Sequence, residues 1–314
     1  MMSLIREIKE NSCILAEASV IEKLRRSEGV DLHPRLENAL LVYDAAGRKS
    51  LHDVYKAYVE VAYDADLPII VSSPTWRANR QRTLEVTAAK GINRDAIRFL
   101  NNIRNEYDTF SPKIFIGGLI GCKNDCYKPE EALQTDEAYT FHSWQIGKLA
   151  NEDVDYLMAA TLPALPEAVG IARAMGKTKI PYFISFVINR NGNILDGCSL
   201  QSAFEKIDDE CSEPPMGYMI NCAYPSFLNA DTQPYSVLER LLGYQANASS
   251  LDHDQLDGAH TVQSDSLEDW GNRMIALNKN YGIQILGGCC GTDVKHLRYI
   301  AAKLSTTVHS STTG

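Results

Sequence analysis

Two adjacent cysteines set among glycines, in Ile285-Leu286-Gly287-Gly288-Cys289-Cys290-Gly291-Thr292, are the residues of this chain whose types and spacing best suit chemistry. Thiolates hold metals and act as nucleophiles, and a sharp backbone bend, which glycine permits, lets two successive side chains reach one point. A third cysteine, Cys222, follows Asn221 at the end of another short apolar run, 67 residues earlier. That separation excludes a closed local finger but suits a centre shared by two strands of one barrel. Three thiolates with an open fourth position are the pattern of a catalytic zinc site. Spacing alone leaves a second reading open, in which Cys289 and Cys290 only pack beneath the last helix.

The other cysteines offer less. Cys13 lies in the apolar run Cys13-Ile14-Leu15-Ala16 and reads as a small core residue. Cys122 and Cys126 are four apart, with no second Cys or His pair at finger spacing, and Cys198 and Cys211 flank a polar helical stretch. Eight cysteines in 314 residues are too sparse for a disulfide scaffold, and the lack of a C-x-x-C argues against a metal-free redox pair.

The elements that must position these residues alternate in kind. Short β-branched or aromatic runs at Cys13–Ala16, Pro68–Ser72, Lys113–Leu119, Tyr156–Ala159, Tyr182–Ile188, Tyr218–Asn221, Tyr244–Asn247 and Gln284–Leu286 predict eight strands. Between them run stretches of helical period. One starts at the N-cap Ser266, carries Leu267, Trp270, Met274 and Leu277, and stops at Gly282; the last runs from about Asp293 through Val294, Leu297, Ile300, Ala301 and Leu304. Eight βα units in this length predict a (β/α)8 TIM barrel, a single domain over residues 1–314. Soft segments are expected at Ser249–Asp265 and in a flexible polar tail from about residue 305. An open doubly wound sheet is disfavoured, because no G-x-G-x-x-G follows the first strand. Barrel active sites gather at the carboxyl ends of the strands. Those ends carry Glu17, Ser72, Ser73, Gly117, Gly118, Thr161, Ser185, Asn221, Cys222, Asn247, Cys289 and Cys290.

Composition narrows the partners. With 45% hydrophobic and 23% charged residues the chain is of the globular class, and a net charge of -9 argues against nucleic acid or an anionic membrane surface. The charged start has no signal-peptide core, and the longest apolar run, Ile180–Ile188, falls well short of the roughly 20 residues of a membrane span. The expected setting is cytoplasmic, with small-molecule partners and a possible homo-oligomer.

The run Gly287-Gly288-Cys289-Cys290-Gly291-Thr292 followed by His296, the pair Asn221-Cys222, and Ser185-Phe186 with Asn191-Gly192 and Leu195-Asp196-Gly197 resemble the homocysteine S-methyltransferases. That family includes betaine- and S-methylmethionine-dependent enzymes and the homocysteine-binding module of methionine synthase, and the resemblance covers nearly the whole chain. It implies a barrel in which Cys222, Cys289 and Cys290 hold Zn2+ as the catalytic metal set. Three positions depart from the family pattern: Glu17-Ala18-Ser19 stands where Asp-Gly-Gly is usual, Ser72-Ser73-Pro74-Thr75-Trp76 where an Asn-Thr segment is expected, and Ala160 where a Glu is expected.

The chemistry implied is methyl transfer from a small cationic donor, of S-methylmethionine, S-adenosylmethionine or betaine type, to the thiol of homocysteine, giving methionine. Glu17 and Asn221 are the expected substrate-binding residues, Glu17 by pairing with an ammonium group. Trp76 is a candidate cation–π face for the donor, and Asn247 for orienting substrate or backbone. His296 is expected on the outer helix surface rather than as a ligand. Two alternatives stay open: a different thiol or selenol acceptor, and a non-catalytic thiol- and zinc-binding subunit of a methyl-transfer assembly.

Overall fold

The apolar runs of the sequence form eight parallel strands: β1 (Ile14–Ala16), β2 (Ile69–Ser72), β3 (Ile114–Gly121), β4 (Tyr156–Leu162), β5 (Tyr182–Phe186), β6 (Gly217–Asn221), β7 (Leu241–Ala246) and β8 (Ile285–Gly288). This computed structural model describes residues 4–252 and 263–308. Each strand pairs with the next, and Leu15 of β1 lies opposite Leu286 of β8, so the sheet closes into a barrel. Its strands are covered on both faces, which is why they read as near-continuous apolar runs rather than alternating ones. The (β/α)8 expectation holds. β4 runs on to Leu162 and β7 starts at Leu241, the largest departures from the expected limits.

Eleven α-helices accompany the strands among the described residues: α1 (Leu4–Glu10), α2 (Ile21–Arg25), α3 (Ala45–Ala65), α4 (Arg80–Leu84), α5 (Ile92–Arg104), α6 (Thr135–Ala150), α7 (Leu165–Gly176), α8 (Leu200–Glu210), α9 (Tyr235–Arg240), α10 (Leu267–Tyr281) and α11 (Val294–Val308). α10 has the expected ends: Ser266 Oγ accepts the Asp269 N–H at 3.0 Å, and Gly282, at φ +75°, closes the helix in the left-handed region. Leu297, Ile300, Ala301 and Leu304 of α11 are buried as the spacing predicts. His296 corrects the sequence reading. It is 1% exposed, edge-on to Trp270 with ring centroids 4.8 Å apart, so it packs between α10 and α11 instead of facing solvent. The helix continues to Val308, past the expected start of the polar tail; residues 309–314, and 253–262 of the expected loop, lie outside the described residues.

Two apolar layers result. Inside the barrel pack Ile14, Ile70, Phe115, Tyr156, Met158, Phe183, Met219 and Ile285, with Leu4 and Ile8 of α1 closing the amino-terminal end. A larger layer lies between strands and helices. Towards the carboxyl end the interior turns polar, with Ser72, Ser185, Asn221 and Gln245 all buried. These are the positions that continue the inward alternation of their strands.

The segment between β3 and α6 forms one wall of that end, and a single carboxylate ties it down. Glu167 of α7, fully buried, accepts the Lys123 N–H at 2.8 Å on Oε1 and the Leu133 N–H at 3.2 Å on Oε2, and Oε1 also meets His142 Nε2 at 2.8 Å. Glu167→Ala strands two backbone donors and the imidazole in an apolar layer, so it is expected to cost roughly 2 to 4 kcal/mol in chemical denaturation. Amide exchange should rise first in residues 123–133.

Candidate active site

A cavity of about 710 Å³ opens at the carboxyl ends of the strands, lined by Glu17, Ser72, Trp76, Ala160, Thr161, Asn221, Cys222, Gln245, Cys289 and Cys290 among others. β6 and β8 both flank β7, with Asn221 opposite Gln245 and Gln245 opposite Gly287. That register brings together the sulfurs the sequence keeps far apart. The Sγ atoms of Cys222, Cys289 and Cys290 lie within 4.8 Å of one another. Cys222 and Cys289 touch through their sulfurs, with Cα atoms 5.4 Å apart, and Cys290 is a free thiol beside them.

Backbone strain and hydrogen bonds hold each sulfur in place. Cys222 has φ +54° and Thr161, across the mouth, φ +60°, conformations that cost a non-glycine residue on the order of 1 kcal/mol or more and persist only where neighbours impose them. Asn221 is that neighbour. Its Oδ1 accepts the Thr161 N–H at 2.9 Å and the Ser185 hydroxyl at 2.7 Å, while Nδ2 donates to Thr161 Oγ1 at 2.7 Å and to Cys222 Sγ at 3.3 Å. Both amide hydrogens and both lone pairs are thus engaged within the protein.

The turn after β8 is stitched in the same manner. Cys289 N–H donates to Ala246 O at 2.7 Å and Cys290 N–H to Asn247 Oδ1 at 3.1 Å, so Asn247 orients backbone. Gly291, at φ +79°, makes the bend, and its N–H donates to Glu22 Oε2. At Gly288 a Cβ would collide with the Thr292 side chain, whose hydroxyl donates to Cys289 O at 2.6 Å. The glycines thus serve both bend and close packing.

Glu17 sits at the end of β1, 7% exposed. Its Oε1 accepts the Ser72 N–H at 3.1 Å, and its Oε2 has no partner among the described residues. Burial pushes its carboxyl up to about 7, against the hydrogen bond from Ser72. The group is therefore a buried acid in the cavity wall with one oxygen unpartnered among the described residues. Ala160 lines the same cavity and contributes a carbonyl, which accepts from Trp76 Nε1 at 3.3 Å, but no carboxylate. The expected cation–π face of Trp76 is taken by its own neighbour, the Arg77 guanidinium, 3.9 Å from the ring centroid.

Sequence reasoning missed several residues of the site, Arg77 and Arg82 among them. Gln245, whose Nε2 donates to Glu17 O at 3.2 Å, was discoverable from its two-residue offset to Asn247. Glu22 and Cys126 carry no such signal; Glu22 reaches the cavity from the short helix α2 and Cys126 from the segment after β3. Cys13 is buried in the outer core, with its thiol pushed up to about 12, and takes no part.

The model of the homocysteine S-methyltransferase family matches residues 13–304. The chain belongs to that family. No curated protein matches the chain significantly. Among solved structures, the homocysteine methyltransferase MmuM from Escherichia coli is similar in its oxidized form (TM-score 0.74, 16% identity, covering 94% of this chain and 97% of that one). Its metallated form gives TM-score 0.74 at 15% identity, covering 95% and 99%, and its apo form 0.66 at 15%, covering 94% and 97%. At these identities the likeness establishes a shared barrel fold. As a family member the chain is a methyltransferase, and the cysteine cluster at its mouth is a donor set suited to a soft or borderline metal.

The buried acid gives a pH signature. With its folded value near 7 and the unfolded chain releasing the proton near 4.5, Glu17 favours folding fully below about pH 4.5. That contribution is lost as pH rises to about 7, on the order of 3 kcal/mol in all. Glu17→Gln should therefore flatten the fall in melting temperature between pH 4.5 and pH 7.5; identical pH profiles for parent and variant would remove the buried acid from the account.

Proposed function

We propose that this family member is a zinc-dependent S-methyltransferase that moves a methyl group from a small cationic donor to the thiol of homocysteine, giving methionine. The observation that carries the reading is the meeting of three cysteine sulfurs within 4.8 Å beside a buried carboxylate whose Oε2 is unpartnered. The donor set fits zinc: three sulfurs, one side facing a cavity, and a second layer of hydrogen bonds from Asn221. Burial pushes the Cys290 thiol up to about 11, so without a cation beside it that sulfur stays protonated at neutral pH. A bound zinc ion would supply the positive charge that keeps these sulfurs as thiolates and lowers the pKa of an added thiol.

The chain's own residues divide the remaining work. Cys222, Cys289 and Cys290 would hold the metal and leave the cavity side open. Asn221 fixes the Cys222 sulfur by its amide N–H and is a positioning residue, with no donor or acceptor spare for substrate. Glu17 offers Oε2 to the acceptor's ammonium group, and pairing with that charge would restore the ionised form that burial disfavours. The acceptor's sulfur, its thiol proton released to solvent, would bond to the methyl carbon as the donor's methyl–onium bond breaks, with that bond's electron pair staying on the departing sulfur or nitrogen. We place the enzyme in the cytosol, on the strength of its free cysteines, with small molecules as its substrates.

Ala160 favours a second reading of the acceptor. One carboxylate, rather than two, faces the ammonium position, which also suits a thiol or selenol without an amino group there.

Three measurements test these proposals. Protein purified without chelator should carry about one zinc per chain, and Cys222→Ser, Cys289→Ser and Cys290→Ser should each lose most of it; equal metal in all four samples would refute the three-thiolate site. Ala160→Glu should tighten homocysteine by roughly tenfold to a hundredfold if the acceptor has an ammonium group. If activity falls instead, the substitution has buried an unpaired acid, and the amino-free acceptor is correct.

A further inference from the structure

The charged side chains around the cavity are not evenly matched. Arg25 pairs with Glu37 at 3.2 Å and Lys128 with Glu131 at 3.3 Å, while Glu22 is engaged by Arg26 at 3.0 Å and by the Gly291 N–H. Asp125, at the exposed rim, accepts the Tyr127 N–H at 2.9 Å. Arg77 and Arg82 line the same cavity, both half-buried, and neither forms an ion pair among the described residues. Glu37 reaches Arg82 only at longer range.

Backbone carbonyls hold both guanidiniums instead. Arg77 Nη1 donates to Cys122 O at 3.3 Å and Asn124 O at 2.6 Å; Arg82 donates from Nη1 to Arg35 O at 3.1 Å and from Nη2 to Lys123 O at 3.4 Å. The Cys122 thiol is the other group within reach of Arg77; neither guanidinium has a carboxylate partner among the described residues, and a planar fork of this kind matches the two oxygens of a carboxylate. Stacking on Trp76 fixes the plane of the fork. Two like charges, partly desolvated and adjacent, disfavour each other unless an anion joins them. Cys126 lines the same cavity and feels the charge of Arg77.

We propose that Arg77 and Arg82 form a carboxylate subsite at the β2 side of the cavity, which takes the acid end of a zwitterionic methyl donor and leaves its onium end towards the sulfurs. The inference rests on the methyltransferase reading and deepens it: the arginines select donors that carry both charges. It also assigns the two ends of the reaction to opposite charges of the cavity, the ammonium of the acceptor to Glu17 and the carboxylate of the donor to the arginine pair.

The test uses the full zinc-loaded chain, with glycine betaine as the zwitterionic probe and choline as the matched onium without a carboxylate. Calorimetric titration should show the parent binding glycine betaine at least tenfold more tightly than choline, because two charge-assisted hydrogen bonds are available only to the former. Arg82→Gln should lose roughly tenfold in glycine betaine affinity, Arg82→Lys should recover part of it, and choline should bind both variants at least as well as the parent. Unchanged choline affinity also shows that the variants fold, and Arg77→Lys repeats the measurement without removing the charge that holds the Cys122–Asn124 carbonyls. Equal binding of the two probes by the parent would overturn the subsite while leaving the zinc and homocysteine measurements standing. Loss of homocysteine affinity in Arg82→Gln, with glycine betaine unaffected, would overturn the donor assignment by giving the carboxylate to the acceptor. A chain that takes up zinc yet binds neither onium would overturn the donor assignment as well.

Discussion

Three sulfurs held within 4.8 Å of one another are a concentration of polarizable groups that no flexible loop would keep together, and the closed barrel is what imposes it. Strands β6 and β8 both pair with β7, so the ends of two segments 67 residues apart emerge a fixed distance from each other. The strain at Cys222 and Thr161 is tolerated because it is shared out among hydrogen bonds that are already satisfied, chiefly those of Asn221. Barrel closure, packing of the inner apolar layer and the geometry of the sulfurs are therefore one constraint. A change that loosens the first two moves the third.

Above that apolar layer the interior becomes a polar collar, and its members are joined. Ser72 meets the Tyr156 hydroxyl at 3.0 Å and donates its N–H to Glu17, Tyr55 donates to Ser72 O at 2.7 Å, and Gln245 holds the Glu17 backbone. Nearly every buried polar atom of the collar is satisfied, which makes the unpartnered Oε2 of Glu17 informative. This is the oxygen that the proposed function gives to the acceptor's ammonium group. The arginine pair at the β2 side is its counterpart in the opposite sign, so the cavity is polarised along its length.

The departures from the family pattern acquire physical content here. Glu17 is one methylene longer than the usual Asp and reaches down to the Ser72 N–H, while Ala160 leaves space where a second carboxylate would crowd it. Two buried acids close together would raise each other's pKa; a single one, already near neutrality through burial, can respond to one ammonium. Trp76 was free, on sequence grounds, to offer its face to a substrate cation. Its stacking with Arg77 converts it into a support for a guanidinium.

Local sequence determined the eight strands, the capped helix from Ser266 to Gly282 and the motif Gly-Gly-Cys-Cys-Gly-Thr, because hydrophobic runs, caps and bends are decided by residues within a few positions of each other. With the barrel inferred, the sequence also put Cys222, Cys289 and Cys290 at one mouth, since strand ends in that fold share a face. Tertiary structure alone decided which charges are paired and which residues are buried. His296 reads as a surface residue because nothing near it in the chain announces Trp270 across the helix pair, and the sequence that offers Glu17 as an ammonium partner does not announce its burial or its hydrogen bond from the Ser72 N–H. Arg77 and Arg82 look like any two surface arginines in sequence. Their lack of carboxylate partners among the described residues exists only in space, because pairing and desolvation are set by atoms that come from the segment after β3 and the loop after β1, distant along the chain.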